Sequence, residues 1–99
     1  MNDVVHHFSD GIYAKEQYLA KGYKVMTHSH NYSHLSILGK GSAVVTCDGI
    51  EKTYNAPACI EIKADVHHEI YALEDVTWFC IHKTDETDIN KIDETLIKE

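Results

Sequence analysis

The chain has 99 residues, 43% of them hydrophobic and 25% charged, an ordinary globular mix for one domain, 1–99. Its formal net charge is −7 with no Lys/Arg cluster to offset it, which argues against nucleic acid or a membrane surface as a partner. No apolar run approaches the ~18 residues of a spanning helix, and "MNDVVHHFSDG" has neither the basic nor the apolar part of a secretory leader, so a cytoplasmic protein is expected.

Read in chain order, short apolar or alternating segments are broken by Gly, Asn and Asp. "FSDGIY" carries Asp10-Gly11, a hairpin signal. "QYLAKGYKVMTH" reads as a strand interrupted near Gly22, and "HLSIL" as a strand ending at Gly39–Gly41. "SAVVTC" runs to Asp48-Gly49, a second hairpin signal, and "IEKTY" returns from it. "ACIEI" follows Pro57; "HHEIYAL" and "VTWFCIH" flank the acidic turn Glu74-Asp75. Turn signals roughly every 8–12 residues, with β-branched and aromatic residues between them, predict an all-β sandwich or barrel.

The tail differs. Ile89, Ile92 and Leu96 recur at helical spacing, with Ile97 beside Leu96. Thr87 or Asp88 suits an N-cap, and Asp85 and Glu86 suit the N-terminal end of a helix dipole. The spacing predicts a short C-terminal amphipathic helix over about 86–98, covering one end of the sheet. Cys47, Cys59 and Cys80 are odd in number and widely spaced. They read as reduced cysteines packed as small hydrophobes, with Cys80 in an apolar strand that could face a cavity.

The stretch "HSHNYSHLSIL" puts His28, His30 and His34 within seven positions. Alternate residues of a strand share a face, so His28 and His30 point the same way if "VMTHSH" is a strand. His34 lies across a short turn at "NYS", and one hairpin would then bring three imidazoles to one point. Of the adjacent pair His67 and His68, only one can join them. Imidazole nitrogen suits zinc, copper, iron, nickel and manganese. Histidines crowded against apolar walls such as "LSILG" need a partner for each nitrogen, which favours a metal over a merely polar strand.

These residues resemble the first motif of the cupins, a family of small β-barrel proteins: Gly, five residues, His-x-His, three or four residues, Glu, six residues, Gly. Here Gly22, His28, His30, His34 and Gly41 fall at that spacing, and His34 stands where the family usually has glutamate. The second motif is looser. "KADVHH" matches its Pro-x-Gly, two residues, His, with Lys63 and Asp65 departing from the Pro and Gly. The resemblance covers roughly residues 12–83. It implies a double-stranded β-helix (jelly-roll) barrel holding one divalent transition metal ion (Mn, Fe, Ni, Cu or Zn) on His28, His30, His34 and His68. Four neutral imidazoles in place of three and a carboxylate would leave the first shell of a divalent ion at +2, a stronger Lewis acid that favours anionic ligands.

Alternation turns Ser36 and Leu38 inward with His34, and Ile70 and Ala72 inward with His68. Tyr32, Tyr54, Trp78 and His82 are the candidate catalytic residues of the cavity, and Tyr71 and Cys80 are further candidates to line it. Packing is the commoner role of a tyrosine, and His82, at a strand end, reads as solvent-facing. His6 and His7 read as exposed and without function. Leu35 and Ile37 point outward, where a second copy in a homodimer, or the chain's own N-terminal segment or tail, would cover them.

The expected activity is that of a metal-dependent oxidoreductase, dioxygenase-like, on a small molecule, with anions favoured. The alternatives are an isomerase, lyase or decarboxylase, which needs a proton shuttle, and a non-catalytic small-molecule or metal-binding barrel.

Overall fold

A computed structural model of the chain describes residues 3–26 and 32–88. Over these residues the chain forms nine strands: β1 (Asp3–Ser9), β2 (Ile12–Leu19), β3 (Lys24–Met26), β4 (His34–Lys40), β5 (Ser42–Cys47), β6 (Ile50–Asn55), β7 (Ala58–Ile62), β8 (His68–Ala72) and β9 (Val76–Lys83). The predicted turns lie where the sequence put them. Gly11 closes β1–β2 at φ 71°, and Asp48 and Gly49 close β5–β6 at φ 52° and 76°. Two successive positive φ values match the right-handed twist of a two-residue hairpin, and Asp and Gly tolerate them best. Gly41, between β4 and β5 at φ 86°, is required for a second reason: a Cβ there would run into the carbonyl oxygen of Asp75.

All pairings are antiparallel, in two sheets of order β1-β2-β9-β4-β7 and β3-β8-β5-β6. This corrects one expectation. The strands before and after "NYS" are not a hairpin, because β3 pairs with β8 in the smaller sheet and β4 lies between β9 and β7 in the larger. β3 and β4 therefore belong to different sheets.

The core lies between the sheets. Period-two alternation supplies it: Trp78, Leu38, Ala43 and Ala72 are fully buried, with Leu19, Ile62, Ile70 and Val76 nearly so. Ser36 and Leu38 are buried with His34, and Ile70 and Ala72 with His68, as the alternation predicts. Leu35 is half exposed and Ile37 partly covered on the outer face. Cys59, opposite in phase to buried Ile60, is exposed rather than packed; Cys47 and Cys80 are partly buried, and all three are free thiols.

After β9 the backbone N–H of Thr84 donates to the carbonyl of Gly11 at 3.0 Å, tying the chain to the β1–β2 turn. Residues 84–88 are not helical, and the rest of the expected tail helix lies outside the described residues. Among the described residues no helix is long and apolar enough to cross a membrane.

Candidate metal centre and its cleft

The strand ladders lay the inner side chains out in rows. In the larger sheet, Phe8 faces Tyr13, Tyr13 faces His82, and the ladder that pairs Leu35 with Ile81 and Ser36 with Cys80 brings His34 beside His82. The rings follow this row: His34 and His82 lie 4.3 Å apart between centroids, and His82 stacks on Tyr13 at 6.2 Å. In the smaller sheet, Ile50 faces Cys47 and Cys47 faces His68. The two rows share one end of the sandwich, because Ile62, the partner of His34 on β7, leads through residues 63–67 directly to His68.

His34 is 8% exposed and His68 3% exposed. His67 is exposed, so of the adjacent pair it is His68 that faces in. The Nδ1 of His68 lies 3.2 Å from the carbonyl oxygen of Val66. A carbonyl only accepts, so Nδ1 carries the proton and Nε2 is the lone-pair nitrogen, the tautomer a metal ligand needs. His28 and His30 lie outside the described residues. Among the described residues no three His, Cys, Asp or Glu side chains gather as a metal-binding group, so a complete set depends on those two.

His82 corrects the sequence reading. It is 4% exposed and faces inward, against His34. Its Nδ1 and the hydroxyl of Tyr32 are 3.2 Å apart, and Tyr32 meets the rings of His82 and His34 edge-on. The signal was in the sequence: Val76, Trp78, Cys80 and His82 share one phase of β9. His6 is also not free of contacts. It is half-buried, with Nδ1 2.6 Å from the Tyr13 hydroxyl, whereas His7 is exposed and pairs with Glu16 at 2.7 Å. The hydroxyl of Tyr18 donates to the same Glu16 carboxylate. These two partners, Tyr18 first, hold that carboxyl below its usual range.

The other candidates separate. Trp78 is fully buried in the core, two positions from Cys80, and its indole Nε1 makes no hydrogen bond among the described residues. Tyr71 points out of the barrel and is exposed. The Cys80 sulfur faces inward, 3.7 Å from the Ser36 hydroxyl; burial pushes its thiol up, only partly opposed by that hydroxyl. A buried neutral thiol of this kind packs rather than attacks. Tyr54 lines a cleft of about 250 Å³ where the sheets part between their edge strands β6 and β7, together with Val45, Lys52 and Ile60, and His68 lies at its inner side. A larger hollow of about 320 Å³ runs along Leu19, Lys40, Asp75 and Val76, at the other end of β9 from His82, and holds no histidine.

No protein-family model and no curated protein sequence matches the chain. Solved structures do. A cupin 2 domain-containing protein from Halorhodospira halophila superposes with a TM-score of 0.76 at 15% identity, over 94% of this chain and 74% of that one. An RmlC-like cupin family protein with a double-stranded β-helix fold from Methanocaldococcus jannaschii gives 0.71 at 16%, over 86% and 82%. A cupin superfamily protein from Desulfitobacterium hafniense gives 0.69 at 20%, over 84% and 79%. At such identities the likeness is one of fold, and it agrees with the two antiparallel sheets described above: the chain has the double-stranded β-helix, or jelly-roll, fold of the cupins.

Proposed function

We propose that this is a small metal-dependent enzyme of the cytoplasm, a dioxygenase-type oxidoreductase, that holds one divalent transition ion on His28, His30, His34 and His68 and acts on a small molecule. One observation carries this reading. His34 and His68, far apart in sequence, are both buried on inner faces of opposite sheets, at the same end of the sandwich. Burying imidazole is unfavourable unless its nitrogens are satisfied, and the donor chemistry of these two suits such an ion. When bound, the ion would supply Lewis acidity and positions for substrate. The chain's own contribution is the wall around it: Ser36, Leu38, Ile62 and Ile70 exclude water, and Tyr32 and His82 offer a hydrogen-bonded pair next to His34.

That pair favours a second reading, an isomerase, lyase or decarboxylase. Such chemistry moves a proton, and a tyrosine bonded to an imidazole is equipped to hold and pass one. Elemental analysis of protein purified without a histidine tag tests the first reading and separates it from the second. About one equivalent of iron, manganese, nickel or copper per chain is the expected result. Zinc alone would turn the assignment toward the proton-transfer class. No stoichiometric metal would leave a non-catalytic small-molecule barrel.

The outer face of the larger sheet bears on assembly. Val5, Ile12 and Leu35 are 41%, 51% and 50% exposed. Leu35 adjoins half-buried Ile37, Phe79 and Ile81 through the pairs Leu35–Ile81 and Ile37–Phe79, whereas Val5 faces Glu16 and Ile12 faces Lys83. An apolar patch centred on Leu35 supports the reading that a second copy of the chain packs here across a two-fold axis. Light scattering is expected to give twice the chain mass of 11.3 kDa, and Leu35→Asp to return it to the monomer. A wild-type monomer would reject the dimer.

A further inference from the structure

The cleft between β6 and β7 carries a feature that the histidines do not explain. Lys52 lies on the inner face of β6. It pairs directly with Val45, which is 5% exposed, and paired residues share a face. Lys52 is itself exposed, so its ammonium stands in water at the open edge of the cleft, with its stem along the cleft wall. Among the described residues Lys52 has no carboxylate partner. Its one contact is with the face of the Tyr54 ring, 5.5 Å from Nζ to centroid. The second lysine of the cleft, Lys63, is already paired with Glu61 at 3.1 Å. Toward His68 the apolar walls are Val45 and Ile60, while Tyr54 lies one row to the other side of Lys52. One row separates Lys52 from His68, because Lys52–Val45–Ile70 runs alongside Ile50–Cys47–His68.

We propose that this cleft binds a small molecule with one anionic group on an apolar or aromatic body, the anion held by Lys52 and the body lying against Val45 and Ile60 toward His68. The class follows from the lining. A single unpaired cation is supplied for one negative charge, apolar walls for a hydrophobic remainder, and a volume of about 250 Å³ admits only a small molecule. Asp48, at the hairpin tip, is the one carboxylate of the lining apart from the paired Glu61, and it disfavours a second negative charge. The proposal deepens the enzymatic reading, since it rests on taking the His68 end of the barrel as the site.

Benzoate and its neutral isostere benzamide are suitable probes, titrated by NMR into the metal-free protein and again after addition of metal. Benzoate is expected to bind with shifts at Val45 and His68, and benzamide more weakly. Lys52→Met should weaken benzoate by about fivefold, as for a partly solvated ion pair, while leaving benzamide unchanged; Lys52→Arg should restore the preference. Equal binding of the two probes would overturn the proposal. So would benzoate binding indifferent to Lys52→Met, shifts confined to other faces, or no binding by either probe. The metal-free arm keeps the two readings apart. A Lys52-dependent preference for benzoate stands even if the protein takes up no metal, and stoichiometric metal with no such preference defeats the cleft alone.

Discussion

Trp78→Ala is expected to destabilise the fold by about 3–5 kcal/mol, the range for removing a large buried aromatic. Trp78 is fully buried, and its partners across the ladders are Gln17 on β2 and Leu38 on β4. β9 is the strand that joins β2 to β4, so a void opened here sits at the centre of the larger sheet. For a domain of this size each kcal/mol moves the melting temperature by about 4–8 °C, so a loss of well over 10 °C is expected in a thermal melt followed by circular dichroism. Trp78→Phe separates packing from polarity. It keeps most of the ring volume and removes an N–H that is buried without a hydrogen bond among the described residues, a group whose burial is itself unfavourable. Its effect should therefore be a small fraction of that of alanine. An alanine variant losing under about 1 kcal/mol would mean that the space between the sheets can be filled from elsewhere, and that Trp78 is not the anchor of the core.

The same residue shows how far local pattern carries. A strand has a period of two, and the inner residues of β4, β8 and β9 follow from that period once one member is known to face inward. Asp10-Gly11 and Asp48-Gly49 were legible as hairpins because few residue pairs accept the backbone they require. What local pattern does not contain is the choice of partner strand. β3 pairs with β8, more than 40 residues later, and no feature of "YKVMTH" distinguishes that from a hairpin with β4. Of the four expected ligands, His34 and His68 were legible as inward residues, while the choice of sheet for each was not: His34 stands on one sheet and His68 on the other. His82 illustrates a different limit. Its phase on β9 put it inside with Trp78 and Cys80, but a polar residue at the end of a strand reads as solvated when only its position is weighed. Lys52 was overlooked for the same reason, since lysine is almost never fully buried. On an edge strand, an inward phase and a wet ammonium are compatible.

The sharpest consequence for the site is the contrast between His34→Ala and His34→Glu. Both remove an imidazole that is 8% exposed, its ring centroid 4.3 Å from that of His82, so both disturb packing. They differ in what they leave for a cation. Alanine offers no donor; glutamate offers a carboxylate, the residue the family motif usually has at this position, within the reach of His82 and Tyr32 as hydrogen-bonding neighbours. If His34 holds a metal, His34→Ala should lose most of the bound ion and His34→Glu should keep it. The histidine protein should also gain thermal stability when metal is added, by roughly 2.7 kcal/mol at a hundredfold excess over the dissociation constant, and the alanine variant should gain almost none. If His34 only packs, the two variants will be destabilised, and their metal content will match that of the wild type. The double variant His28→Ala, His68→Ala extends the comparison across the two sheets. Metal retained there at the wild-type level would remove the ligand assignment whatever the behaviour of His34. Isothermal titration alongside elemental analysis distinguishes a weakened site from an absent one, and needs no knowledge of the substrate.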